Sequence, residues 1–257
     1  MAQIKISIIN ASKTLTDHEV SAAVPALEKQ VKNDFAPVWG VDADLDFVAT
    51  GKEPQAGHWW LVVLDDSDQA GALGYHDVTK EGLPLGKIFA GTDKLYGNQW
   101  TVTASHELLE MLGDPAINLT ALSMTAFDVE QPVIGRLWAY EVCDPCEADQ
   151  DGYKIDGVLV SDFIYPSWFE SFRDPKTTQF DQRRKIDAPF QLLPGGYASV
   201  YDMTSGTGWQ QISMPLQQKD LASNERPPIG SRRERRRTPR NQWIRSNARP
   251  RGRTALP

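Results

Sequence analysis

Ser105-His106-Glu107-Leu108-Leu109-Glu110-Met111-Leu112-Gly113-Asp114 is the stretch on which the reading of this 257-residue chain turns. Residues 101–112 read as a helix, with Val102, Leu108, Leu109 and Leu112 forming an apolar side that packs on a sheet. His106 and Glu110, four residues apart, then project from one face, one turn above the other. At that spacing an imidazole and a carboxylate can share one metal ion. Glu107 adjoins the histidine, where a carboxylate can act as general base beside such an ion. Gly113 ends the helix in the left-handed conformation that glycine readily takes, and Pro115 prevents resumption. The competing reading is a helix with a solvated acidic face.

Upstream, Ile4, Ile6 and Ile8 alternate with polar residues, which predicts a strand over 3–9 with one buried face. Thr16-x-x-Glu19 is a capping-box pattern, and Val20, Val24, Leu27 and Val31 follow at helical spacing. Pro25 either kinks this helix or opens its main part. Strands are predicted over 45–50 and 59–64, the second nearly all apolar and hence central. Shorter strands are predicted over 71–76 and 87–91.

This succession of strand, helix and four strands, with a His-Glu helix directly after the last strand, resembles the upper half of a zincin metallopeptidase. His106-Glu107-x-x-Glu110-x-x-Gly113 matches the metzincin pattern HExxHxxG at all positions but one. The resemblance covers residues 3–114. It implies an α+β fold: a zincin-like mixed twisted sheet with two main helices, followed by a strand-rich C-terminal part. It also implies zinc, or another divalent transition metal, with Glu107 as base and His106 and Glu110 as ligands.

In metzincins a third ligand follows the glycine by three residues. Here that position is Ala116, which cannot ligate. Asp114 would replace it in a metzincin-like turn, and Glu141 in a gluzincin-like arrangement. His76 falls on the strand that borders the substrate cleft in zincins, where it faces metal or substrate or is a partly exposed strand residue. His58 and His18 read as surface or cap residues. A carboxylate in place of a histidine suits harder ions and leaves zinc less positive, so the fold could persist with weakened peptidase activity.

In the second half, strands are predicted over 138–142, 153–155, 158–165, 189–193, 197–201 and 209–212, with Asp156-Gly157 as a hairpin turn. The organisation implied is a zincin-like N-terminal subdomain over 1–116, a strand-rich subdomain over 117–220 and a disordered tail over 221–257. Asp149, Asp151 and Asp156 form part of a calcium-loop pattern. An EF-hand loop would need glutamate where Val160 stands, so an acidic turn is the better reading. Cys143 and Cys146 lack the second pair that a zinc ribbon needs, and no helix follows them as in a redox motif. They read as packed thiols first and a local disulfide second.

The net charge of -7 conceals two opposed regions. Residues 226–257 hold eleven arginines and one glutamate, a net +10, so the first 225 residues carry -17. Such a tail points to nucleic acid or an acidic protein as partner. No run approaches the roughly 20 apolar residues that span a bilayer, and no basic-then-apolar leader is present, so a cytoplasmic location without membrane contact is expected. The leading function is a zincin-type metal-dependent hydrolase acting on peptide or protein. The alternative is a non-catalytic binding or assembly module of the same fold.

Overall fold

Ile6 and Ile8 enter one layer of the core while Ile9 enters another, so strand β1 (Ile4–Asn10) is buried on both faces over its second half. A computed structural model describes residues 3–68, 72–79, 81–124, 135–204 and 208–215. In it the first crossover runs through helix α1 (Asp17–Lys29), which begins with the expected capping box. Glu19 N donates to Thr16 Oγ1 (3.2 Å), and Thr16 N donates to Glu19 Oε2 (2.7 Å). Pro25 lies inside α1 and marks neither end. The chain continues through a π-helical turn, Gln30–Phe35, into a short α2 (Ala36–Trp39), which stops at Gly40 with φ +70°.

β2 (Ala43–Val48) and β3 (Trp59–Leu64) both run parallel to β1. β4 (Gly74–Val78) and β5 (Pro84–Phe89) complete a five-stranded sheet of order β2-β1-β3-β5-β4. β5 is parallel to β3, and β4 is the antiparallel edge. The apolar run of β3 therefore lies at the centre, as its composition predicts. The strands expected over 71–76 and 87–91 are both displaced. Pro84, which has no N–H to donate, opens β5 at its first residue. Ala90 and Gly91 belong instead to α3 (Ala90–Tyr96). That helix is unexpected from its glycines, but Gly91 allows the close approach of the Asp65 carbonyl, which a Cβ would meet at 2.6 Å. α4 (Trp100–Gly113) is the His-Glu helix.

Downstream, β6 (Thr120–Met124) and β7 (Gly135–Ala139) form an antiparallel pair. The hairpin of β8 (Tyr153–Ile155) and β9 (Val158–Val160) turns on Asp156 and Gly157, both with positive φ as a two-residue primed turn requires. β10 (Tyr197–Asp202) and β11 (Trp209–Ser213) join β7 and β6 in a sheet of order β11-β10-β7-β6. The expected strand over 138–142 starts and ends three residues earlier, because residues 140–143 leave the sheet and Val142 O accepts from Ile164 N (2.8 Å). Strand 158–165 stops at Val160, and 189–193 is not a strand; Leu193 N instead donates to Pro145 O (2.9 Å).

The fold is thus mixed α+β. One core cluster runs from Ile6 through Leu108 and Phe163 to Val200 and joins the two sheets. Among the described residues no helix is long and apolar enough to cross a membrane. The arginine tail, with the disorder and partners expected of it, lies outside the described residues.

Candidate metal centre

α4 is buried at every residue from Val102 to Leu112. That excludes the solvated acidic face: His106, Glu107 and Glu110 are interior groups. On one side the helix lies against β4 and β5, where Gly74 leaves it room. A Cβ on Gly74 would stand 2.7 Å from Thr103 Cγ2 and 2.9 Å from Glu107 Cγ. On the other side Thr101 Oγ1 donates to Leu159 O (2.7 Å) in β9. Gln30, in the π-helical turn, ties these layers together beside His106. Its Nε2 donates to Ser161 O (2.8 Å), and its Oε1 accepts from Ser105 Oγ (2.6 Å). A π-turn at such a junction fits the usual placing of these irregularities at functional sites.

Gly113 plays a different part from the one its position implies. It is the last helical residue, not a left-handed cap; Asp114 occupies the cap with φ -138°. A Cβ at Gly113 would meet Val142 Cγ1 at 3.1 Å, so the glycine admits the segment that carries Glu141 and Asp144.

Seven buried ionisable side chains converge at the middle of α4: His76, His106, Glu107, Glu110, Glu141, Asp144 and Glu147. His106 Nε2 lies 3.1 Å from Glu110 Oε1 and 3.1 Å from Asp144 Oδ1. Glu110 Oε1 also accepts from Cys143 N (3.4 Å). His76, on edge strand β4, faces the same group: its Nδ1 is 3.5 Å from both Glu107 Oε2 and Glu110 Oε2, and its Nε2 is 3.7 Å from Glu141 Oε2. Ligand atoms of three such sets lie within 4.8 Å of one another: His76-Glu110-Glu141, His106-Asp144-Glu147 and His106-Glu107-Glu110.

Both ring nitrogens of His76 are buried and make no hydrogen bond, although three carboxylate oxygens face them. The 3.5–3.7 Å separations exceed hydrogen-bond lengths. They match the roughly 3.4 Å between two tetrahedral ligands of a zinc-sized ion at about 2.1 Å. Burial, and then the neighbouring Glu141 and Glu147, push the Asp144 carboxyl well above the usual range. These carboxylates repel one another where water cannot screen them, so a divalent cation suits the donor set.

Of the residues expected at the site, His106, Glu107, Glu110 and Glu141 are brought together. Asp114 is not among them. Its carboxylate accepts from Asn118 N (3.0 Å) and Leu119 N (2.9 Å) and shapes the turn after α4. Asp144 and Glu147 escaped sequence reasoning. The available signal was Glu141, Asp144 and Glu147 at intervals of three through a proline-containing segment. Residues 144–146 form a 3₁₀ turn, in which side chains three apart eclipse. Tyr197, whose hydroxyl bonds to Asp144, was also missed.

Cys143 and Cys146 are free and buried, and burial pushes both thiols up, which keeps them poor nucleophiles. His58 is not a surface residue: it is buried, with Nδ1 2.9 Å from Asp46 Oδ1 and 3.0 Å from Ser7 Oγ. Both partners meet the same nitrogen, so these three groups cannot form a proton relay. Asp149, Asp151 and Asp156 turn to Gln99 N, Lys185 Nζ and Lys29 Nζ respectively. No protein-family model, curated protein or solved structure matches this chain.

Proposed function

We propose that this protein is a metal-dependent hydrolase of zincin type that acts on peptide bonds. The observation that carries the proposal is the buried pairing of His106 with Glu110 and Asp144, each at 3.1 Å, on a helix that also presents Glu107. A His-Glu helix beneath a mixed sheet with an antiparallel edge strand supports the zincin-like reading. The residues that would hold the cation are His106 with Glu110 on one side, or His106 with Asp144 and Glu147 on the other. When bound, a divalent cation supplies Lewis-acid polarisation of the scissile carbonyl.

The chain's own groups do the rest. Glu107 accepts the proton of the attacking water and returns it to the leaving amine. Glu110 is held for ligation by the Cys143 N–H, and Asp144 by the Tyr197 hydroxyl. Such second partners orient ligands and commonly matter 10–100-fold for metal affinity. The carboxylate-rich donor set leaves less positive charge on the ion than a three-histidine set, so hydrolysis is expected to be slow.

Purified full-length protein, reconstituted with zinc or manganese, should bind transition metal and cleave a mixed peptide library. Glu107→Gln should keep the metal and lower cleavage by two orders of magnitude or more. Failure to bind any metal after reconstitution would sink the proposal. Cleavage unaffected by the substitution would remove Glu107 as base.

A further inference from the structure

We propose that the cluster holds two divalent cations of the manganese type, bridged by Glu110, rather than one. The inference rests on the metal-centre reading above and goes beyond it. The geometry divides about Glu110: Oε1 faces His106 at 3.1 Å, and Oε2 faces His76 at 3.5 Å. Each histidine has carboxylates of its own. Asp144 and Glu147 gather at His106, and Glu141 at His76. Glu107 belongs to one set with His106 and also lies 3.5 Å from His76.

The two oxygens of one carboxylate can each bind a different ion, and in two-metal sites the ions stand about 3.5–4 Å apart. His76 provides the independent sign of a second ligand. It is fully buried, it points both ring nitrogens into the cluster, and neither nitrogen is hydrogen-bonded. The carboxylates 3.5–3.7 Å away are too far to hydrogen-bond this imidazole, and a cation between them and the ring would replace the solvation it has lost. With Glu107 kept as base, four carboxylates and two imidazoles form an oxygen-rich donor set, which suits manganese better than a thiolate- or imidazole-rich one would.

Counting ions while reading their magnetic coupling tests the pair. Full-length protein is dialysed to equilibrium against Mn²⁺ and, separately, Zn²⁺; bound metal is measured by mass spectrometry, and the manganese form by electron paramagnetic resonance. Two manganese ions per chain with a spin-coupled spectrum are expected. His76→Gln and Glu141→Gln, each checked for folding by circular dichroism, should fall to one ion and give the uncoupled six-line spectrum. One ion per chain with a six-line spectrum in the unsubstituted protein overturns the bridged pair and leaves the single-metal reading standing. Two ions without coupling also overturn the bridge. No binding of either metal overturns both readings. The unsubstituted protein decides the matter even if both variants fail to fold.

Discussion

Asp162 carries a proton where most aspartates carry a charge. Burial first, and then the negative charge of the neighbouring Asp181 carboxylate, push its pKa up to about 9. Its Oδ1 accepts from Phe163 N (2.8 Å) and Arg183 N (3.2 Å), so it pins two segments of the C-terminal half. The unfolded chain releases this proton near pH 4, whereas the folded chain keeps it to about 9. Between those limits the folded state binds more protons than the unfolded one, and stability falls as pH rises, by about 1.4 kcal/mol per unit. Asp162→Asn keeps the acceptor for Phe163 N and Arg183 N and places no titrating carboxyl beside Asp181. Urea unfolding between pH 5 and 8.5 should show a shallower pH slope for the variant and a gain of about 1–3 kcal/mol at pH 7.5. An unchanged slope would show that Asp162 is ionised in the fold. The same scale explains why the Asp114 carboxylate lies apart from the cluster. A carboxylate just past a helix end is well placed to cap the following turn, and two backbone N–H groups hold it there.

At the scale of the element, α4 is positioned as much by what β4 lacks as by its own apolar residues. Gly74 faces Thr103 and Glu107, and a methyl group there would also stand 2.9 Å from the Lys87 carbonyl, which cannot swing aside. Gly74→Ala should therefore push α4 off the sheet, cost about 1–3 kcal/mol as overpacking, and weaken metal binding at least tenfold by moving Glu107 and Glu110 away from His76. Thermal unfolding and a metal titration would check this; a variant with unchanged stability and affinity would show that the helix does not need the contact. Much of this architecture is legible in local sequence. The Thr16–Glu19 box, the apolar run of β3 and the Asp156-Gly157 turn each specify their conformation within a few residues. His106, Glu107 and Glu110 are legible for the same reason, since helical spacing alone sets them side by side. What stays hidden is non-local. His76 and the 141–147 segment meet α4 across some thirty residues on either side, and no period in the chain encodes that meeting. β6 hides because it is exposed at alternate positions and half-buried at the others, with little apolar contrast.

For the whole molecule, the cluster sits where distant parts of the chain join: edge strand β4, helix α4 and the 141–147 segment, with Tyr197 of β10 behind Asp144. A cation there would tie together segments from both halves of the core cluster, and metal binding would act as folding energy for the entire unit. A ligand that binds only the folded state stabilises it by about 2.7 kcal/mol at a free concentration one hundred times its Kd. For a unit of this size that raises Tm by roughly 5–11 °C. Because carboxylates and imidazoles must be deprotonated to ligate, the effect should be large at pH 7.5 and vanish as the pH falls below about 5. Differential scanning calorimetry with manganese and with a chelator, at both pH values, measures it directly. Removal of the metal at pH 7.5 should also expose the mutual repulsion of buried carboxylates as a loss of Tm that added manganese restores. Equal Tm values with metal and with chelator at pH 7.5 would mean that the seven side chains share protons and hydrogen bonds alone, and that the cluster is a structural feature of the core.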